Sequence, residues 1–147
     1  MLIYIFRHSD AVNLDNEIGL DGDKYLSFAG RQKACEVAKK MKILESEFDV
    51  ILTSPLTRAV QSAEITANVI GYKGEIKTAK TLAGTNSFQK FLHLILKHSD
   101  SENIAVFGHA PDVTLYANKL LNRTSHDSLF DFKKSSFCKI DFNLDKN

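Results

Sequence analysis

Two histidines and two arginines stand at positions in this sequence where their side chains can bind a phosphate group. Arg7 and His8 directly follow an apolar segment, Leu2–Phe6, that predicts a strand, and His109 follows a second predicted strand, Asn103–Gly108. In open α/β sheets ligands bind beyond the carboxyl ends of the strands, so groups that follow different strands converge there. We therefore expect Arg7, His8 and His109 to be neighbours although they are far apart in the chain.

Arg58 is the fourth group. Phe48–Thr53 predicts another strand, and Ser54-Pro55 predicts a helix start with Ser54 as the N-cap and Pro55 at the first helical position. Arg58 would then lie in the first turns of that helix, where unpaired backbone N–H groups and the helix dipole also favour an anion. The four side chains and the helix N-terminus together predict a pocket for phosphate.

A neutral histidine in such a pocket can act as a nucleophile towards phosphorus. Nearby arginines oppose protonation of His8 and also bind the phosphoryl oxygens. Because phosphoryl transfer depends mostly on positioning and charge stabilisation, Arg7, Arg58 and a donor from His109 suffice in this prediction without a metal or another cofactor. The predicted intermediate is phospho-His8, which water then hydrolyses.

Length and composition predict one globular domain over residues 1–147. The chain is 44% hydrophobic and 25% charged with a formal net charge of +1, which gives no reason to expect a nucleic acid or an acidic membrane surface as a partner. Met1–Phe6 is too short for a signal-peptide core, and no segment approaches the roughly 20 apolar residues of a membrane span. We expect a cytoplasmic monomer.

The sequence offers no pattern of metal ligands. Cys35 and Cys138 lie far apart, which argues against a disulfide framework or a thiolate zinc site. His93, His98 and His126 match no metal-ligand spacing and are interpreted as surface or helix residues. No metal site is predicted.

The predicted strands alternate with helices. Ser27 can cap a helix from Phe28 to about Leu44 with Phe28 on its apolar face, and the helix after Ser54 stops at Gly71. The remaining predicted elements, in chain order, are an edge strand at Gly74–Thr78, a helix over about Ser87–Lys97, a helix opened by Pro111 and a half-exposed strand over Cys138–Phe142. The acidic segment Asp10–Asp23 has no periodicity and predicts a solvated loop. This order predicts an α/β fold, a three-layer α/β/α sandwich with a mostly parallel sheet.

At its predicted site residues the chain resembles the histidine phosphatase superfamily, also called the phosphoglycerate mutase-like family. In that family an R-H-G motif ends the first strand, an S-P-x-x-R-A-x-Q-[ST]-A motif opens a helix, a late G-H completes the pocket, and another helix starts with L-[ST]-x-x-G-x-x-Q. The matching segments here are Arg7-His8, Ser54–Ala63, Gly108-His109 and Leu26–Gln32. The resemblance spans nearly the whole chain in the family's order.

The resemblance implies a phosphoglycerate mutase-like fold with His8 as the phosphorylated nucleophile and Arg7, Arg58 and His109 as the phosphate-binding shell. The glycine that usually follows the nucleophile is Ser9 here. Its Cβ would lie beside the bound phosphate and its hydroxyl can donate to the anion, so Ser9 is a further predicted substrate-binding residue.

A second departure concerns the leaving group. The family's usual proton donor is a glutamate after the second helix, and Leu82–Phe88 contains no acidic residue. An alkoxide leaving group benefits strongly from a positioned acid, whereas a phosphohistidine expels imidazole, whose conjugate acid has a pKa of ~6.5. The SixA-type phosphohistidine phosphatases likewise lack the glutamate and share the run R-H-x-D-A, here Arg7–Ala11.

These observations predict a phosphohistidine phosphatase that acts on a histidine-containing phosphorelay protein. Two alternatives stay open. One is a general phosphatase for small phosphomonoesters or anhydrides with Asp10 as the acid. The other is a catalytically silent phosphate-binding module in which Ser9 has spoiled the geometry of the nucleophile.

Overall fold

A computed structural model describes residues 1–13, 21–44, 47–84, 87–122 and 129–143. His126 and most of the segment between Asp10 and Asp23 lie outside these ranges, as do Thr85 and Asn86. In chain order the strands and helices are β1 (Leu2–Arg7), α1 (Phe28–Ile43), β2 (Val50–Thr53), α2 (Thr57–Ile70), β3 (Ile76–Thr78), α3 (Phe88–Leu96), β4 (Asn103–Gly108), α4 (Asp112–Leu120) and β5 (Phe137–Asp141). Short 3₁₀ turns occur at Asp21–Asp23 and Lys80–Leu82.

The strands form one sheet in the order β3-β2-β4-β1-β5. Strands β1 to β4 pair in parallel, and β5 pairs antiparallel with β1 at one edge. The short strand β3 lies at the other edge, where the sequence predicted it. The prediction of a mostly parallel sheet is confirmed.

Alternate residues of the strands point to opposite faces of the sheet and bury two separate apolar layers. Ile3 and Ile5 of β1 belong to a cluster that includes residues of α3 and α4. Tyr4 and Phe6, between and beyond them, belong to a second cluster with residues of α1 and α2. The predicted three-layer sandwich is therefore confirmed, and neither face of the sheet is left open in its central strands.

The strand register brings three predicted strand ends side by side. Arg7 pairs with Gly108, and Thr53 pairs with Phe107. Just beyond these pairs, the backbone N–H of His8 donates to the carbonyl of Gly108 at 3.0 Å, and that of Ser54 donates to the carbonyl of Phe107 at 2.9 Å. The residues that follow β1, β2 and β4 thus meet at one edge of the sheet, as predicted.

The predicted start of α2 is wrong by two residues. The helix begins at Thr57, and its N-cap is Leu56, which makes no side-chain cap bond. Ser54 does not cap the helix because its backbone continues the sheet pairing and its hydroxyl bonds to His109 at 2.8 Å. Arg58 still lies in the first helical turn.

Helix α1 starts where predicted, since Ser27 accepts a hydrogen bond from the backbone N–H of Gly30. Its buried stripe, however, consists of Gly30, Ala34, Ala38 and Met41. Phe28 lies off that stripe and is 77% exposed, so its assignment to the apolar face is wrong. In the described part of the chain, the structure contains no helix that is both long and apolar enough to cross a membrane.

Candidate active site

His8 lies directly after β1, and its ring orientation is set by a backbone contact. The Nδ1 atom is 2.6 Å from the carbonyl oxygen of Ser9. A carbonyl can only accept a hydrogen bond, so Nδ1 carries the proton and the lone pair of the neutral ring is on Nε2. The side chain is buried. This is the tautomer that a nucleophilic histidine attacking through Nε2 requires.

The surroundings of His8 keep its ring neutral. Burial lowers its pKa from 6.5 to about 4, and the positive charges of Arg58, Arg7 and Lys134 add to the decrease, while the bond to Ser9 opposes it. Burial and the neighbouring positive charges both disfavour the imidazolium form. At neutral pH almost every molecule therefore holds His8 as a free base.

His109 faces His8, with the two ring centroids 5.0 Å apart and tilted by 53°. Its Nε2 atom lies 2.8 Å from the hydroxyl oxygen of Ser54. Burial, followed by the influence of His8 and of Arg58, lowers the pKa of His109 to about 3. The pocket therefore contains two neutral imidazoles side by side.

Arg7 is anchored by its Nη1 atom, which donates to the carbonyl of Phe132 at 2.6 Å. Its Nε atom and the Nδ1 atom of His109 are buried and have no hydrogen-bond partner among the described residues. Buried N–H groups without a partner are rare and costly in folded proteins. An anion between Arg7 and His109 would satisfy such groups.

Arg58 is held from the other side by Asp21. Nη1 donates to the carbonyl oxygen of Asp21 at 2.6 Å, and Nη2 donates to its carboxylate at 2.9 Å. The same carboxylate pairs with Lys24 at 3.1 Å, and these two contacts, Lys24 first, lower the pKa of Asp21. Five N–H donors are available on a guanidinium, so Arg58 keeps donors for a ligand. The sequence placed Asp21 only in a solvated loop, and no spacing signal connects it with Arg58.

Ser9 is almost completely buried, and its polar atoms already have partners within the protein. Its backbone N–H donates to the hydroxyl of Ser62 at 3.1 Å, and its own hydroxyl accepts from Ser135 at 2.6 Å. Only 2% of Ser9 is exposed. The predicted contact between Ser9 and substrate stays a prediction.

Asp10 lies at the rim of the site and pairs with Lys134, whose Nζ atom is 2.9 Å from the carboxylate. This hydrogen bond is the main cause that lowers the pKa of Asp10. The carboxyl group is therefore deprotonated at neutral pH, which is the wrong form for a proton donor.

Several motif residues that the sequence singled out only by resemblance have structural tasks beside the pocket. Gln61 accepts from the backbone N–H of Leu26 at 2.8 Å and so ties α2 to the segment before α1. Ser62 accepts from Ser9 and donates to the carbonyl of Arg58 at 2.8 Å. A Cβ at Gly30 would overlap the carbonyl oxygen of Asp10, so only glycine lets α1 approach the loop of His8 so closely.

The residues described in the structure include no cluster of three or more histidine, cysteine, aspartate or glutamate side chains that could hold a metal ion. The ion pairs around the site join the guanidinium of Arg58 and the ammonium groups of Lys24 and Lys134 to the carboxylates of Asp21 and Asp10. This arrangement suits a tetrahedral oxyanion bound through N–H donors.

Comparisons with known proteins point to one family. Residues 3–86 match the sequence profile described as histidine phosphatase superfamily (branch 1). A protein of Picosynechococcus sp. (strain ATCC 27264 / PCC 7002 / PR-6) is 32% identical over 130 residues, which cover 86% of this chain and 77% of that protein.

Solved structures share the fold. The protein histidine phosphatase SixA complexed with tungstate superimposes with a TM-score of 0.88 at 19% identity, covering 100% of this chain and 92% of that one. A protein from Agrobacterium tumefaciens named phosphohistidine phosphatase SixA has a TM-score of 0.84 at 20% identity, with 95% and 90% covered. The alpha-ribazole phosphatase from Shigella flexneri has a TM-score of 0.78 at 15% identity, with 98% and 92% covered. The predicted fold class and the resemblance stated from the sequence are confirmed.

Proposed function

Since the chain belongs to the histidine phosphatase superfamily, we propose that this phosphatase removes phosphate from phosphohistidine on a phosphorelay protein. The reaction runs through phospho-His8 and uses N–H donors rather than a metal to neutralise the phosphoryl oxygens. The observation that carries the proposal is the state of His8, a buried neutral imidazole with its proton on Nδ1 and two guanidiniums nearby.

In the first step Nε2 of His8 attacks the phosphorus atom. A new P–N bond forms to His8 while the P–N bond of the substrate breaks, and its electron pair returns to the substrate ring. A substrate ring that is protonated on its other nitrogen leaves as neutral imidazole. Arg7, Arg58 and His109 stabilise the three phosphoryl oxygens throughout.

The rim carboxyl groups that the structure describes are deprotonated, which favours an imidazole leaving group. Asp10 and Asp21, at the rim of the pocket, have lowered pKa values because each pairs with a lysine. Neither supplies a proton at neutral pH, and Leu82–Phe88 holds no acidic residue. Imidazole, with a conjugate-acid pKa of ~6.5, departs without a donor, whereas an alkoxide requires one.

In the second step water attacks phospho-His8. The P–N bond to Nε2 breaks, inorganic phosphate leaves and His8 returns to its neutral form with the proton still on Nδ1. The rim allows a substrate on a protein surface to approach, since the side chains of Asp10, Lys134 and Asp21 are 43%, 45% and 66% exposed.

The proposal is tested with a histidine-containing domain carrying ³²P-phosphohistidine, compared with an alkyl phosphate at the same concentration. We expect rapid loss of label from the domain, slow turnover of the alkyl phosphate and an acid-sensitive label trapped on the enzyme. His8→Asn is the matched control, because its amide N–H can still donate to the Ser9 carbonyl but offers no nucleophile. Equal loss of label with His8→Asn would overturn the proposal.

The same experiment separates the alternatives. Fast turnover of the alkyl phosphate that collapses in Asp10→Asn would identify a general phosphatase with Asp10 as the acid. Tight binding of inorganic phosphate without any trapped phosphoenzyme would identify a silent phosphate-binding module.

A further inference from the structure

The loop that carries the nucleophile is held by a segment near the other end of the chain. The four residues Arg7 to Asp10 each contact the segment Phe132–Ser135, which we name the clamp segment. Arg7 donates to the carbonyl of Phe132, and Asp10 pairs with Lys134. No sequence motif pointed to the clamp segment, and it lies outside the residues that match the family profile.

Ser135 makes the central contacts of the clamp segment. Its backbone N–H donates to the carbonyl of His8 at 3.2 Å, and its hydroxyl donates to the hydroxyl of Ser9 at 2.6 Å. Ser135 is 7% exposed and has a φ of +65°, a left-handed conformation that is uncommon for residues other than glycine. A strained, buried residue at this position is held there by its surroundings.

The contacts of Ser9 connect the clamp segment with the ring of His8. The carbonyl of Ser9 accepts from Nδ1 of His8, its N–H donates to Ser62, and its hydroxyl is bonded to Ser135. The position of that carbonyl selects the Nδ1–H tautomer and the direction of Nε2. A shift of Ser9 therefore changes the direction of Nε2.

We propose that the hydroxyl pair of Ser9 and Ser135 is a positioning device for the nucleophile, which holds the Ser9 carbonyl in place and so keeps Nε2 of His8 aimed at phosphorus. Ser9 replaces the glycine of the family's R-H-G motif, and its hydroxyl accepts a hydrogen bond from Ser135. This inference rests on the proposed function, in that it assigns the nucleophile to Nε2 of His8.

Variants at the two serines test the proposal. Ser135→Gly removes the hydroxyl but suits the positive φ, and Ser9→Ala removes the other partner. Losing one hydrogen bond that acts only on the orientation of His8 should slow phosphoenzyme formation at saturating substrate about tenfold. In Ser135→Gly the affinity for inorganic phosphate should change less than about twofold, because all the predicted anion-binding side chains are kept.

The double variant decides whether the two hydroxyls act as one unit. We expect Ser9→Ala combined with Ser135→Gly to be no slower than the slower single variant, since each removes the same contact. Ser136→Ala is the matched control, because its hydroxyl bonds to the carbonyl of Lys133 and not to the nucleophile loop. Multiplied losses in the double variant, or equal losses of rate and of phosphate affinity in Ser135→Gly, would overturn the proposal.

A measurement that needs no turnover separates this proposal from the proposed function. ¹⁵N NMR of the imidazole reports the tautomer of His8 directly. We expect only the Nδ1–H tautomer in the wild type and a mixture of tautomers in Ser9→Ala and Ser135→Gly. If the wild type forms no phosphoenzyme, the proposed function fails and the NMR result alone decides the positioning role. Unchanged tautomer populations in both variants would overturn that role.

Discussion

The Nε2 atom of His109 lies 2.8 Å from the hydroxyl oxygen of Ser54, so a residue expected to cap a helix supports the phosphate pocket. Ser54 also accepts from the backbone N–H of Leu56 at 3.3 Å, and its own hydroxyl proton can be donated to His109. We infer that Nε2 of His109 accepts that proton and that Nδ1 carries the N–H. Nδ1 is the buried atom without a partner among the described residues.

Ser54→Ala should therefore weaken phosphate binding. Without the hydroxyl, the proton of His109 can move to Nε2 and the donor towards phosphate is lost. A net hydrogen-bond contribution of about 1 kcal/mol corresponds to about a fivefold increase in the Kd for inorganic phosphate. Isothermal titration calorimetry measures this Kd. Ser101→Ala is the control, because Ser101 lies before the amino end of β4. An unchanged Kd in Ser54→Ala would contradict the inferred tautomer.

The pH dependence of phosphoenzyme formation should reflect the lowered pKa of His8. The nucleophile is lost only when the ring is protonated, and its pKa is about 4 rather than 6.5. At saturating substrate we expect the rate to stay level from neutral pH to about pH 5 and to fall as the pH drops through about 4. Quench-flow measurements with labelled substrate test this, after subtraction of uncatalysed hydrolysis. A decrease in rate with a midpoint near pH 6.5 would show that the pKa of His8 is not lowered.

The same shift makes the stability of the protein depend on pH. Between about pH 6.5 and pH 4 the unfolded state binds a proton at His8 that the folded state does not bind, so the free energy of unfolding decreases as the pH falls through this window. At 1.36 kcal/mol per pKa unit, the lowered pKa of His8 reduces the free energy of unfolding by about 3 kcal/mol across this window.

His8→Asn removes this contribution and should flatten the pH dependence of the free energy of unfolding. Urea denaturation at pH 7.5 and pH 4.5 measures the difference between the two proteins. His109→Asn should act in the same direction, because the pKa of His109 is about 3. If the free energy of unfolding fell equally between these two pH values in the wild type and both variants, the lowered pKa values of His8 and His109 would be contradicted.

Gly30→Ala should damage the active site from a position outside it. Its Cβ would overlap the carbonyl oxygen of Asp10, and neither backbone can give way without moving α1 or the loop of His8. We expect a destabilisation of about 1–3 kcal/mol and a loss of kcat of about tenfold or more. Thermal unfolding and turnover measure the two effects. Ala29→Ser, at the exposed neighbouring position, should stay within about 0.5 kcal/mol of the wild type, and a Gly30→Ala variant equally close would contradict the steric argument.

The sequence alone determined the strands, the fold class and the four residues proposed for phosphate binding. Apolar segments such as Leu2–Phe6 and Asn103–Gly108 were recognisable because a parallel strand buried on both faces has no polar positions. The meeting of Arg7-His8 with His109 followed from the rule that the carboxyl ends of parallel strands share one edge. These features depend on local composition and on the chirality of the chain.

Only the tertiary structure decided the contacts between side chains from distant segments. Asp21 bonds to Arg58, Ser54 to His109 and Ser135 to Ser9. Each of these contacts depends on two polar side chains that meet across the fold. Such contacts leave no periodic pattern in the sequence, because a single hydrogen bond needs only one partner at one distance. Phe28 was misplaced for a related reason: the register of the buried stripe of α1 is set by the close approach of Gly30 to Asp10, a contact between backbones that hydrophobicity does not encode.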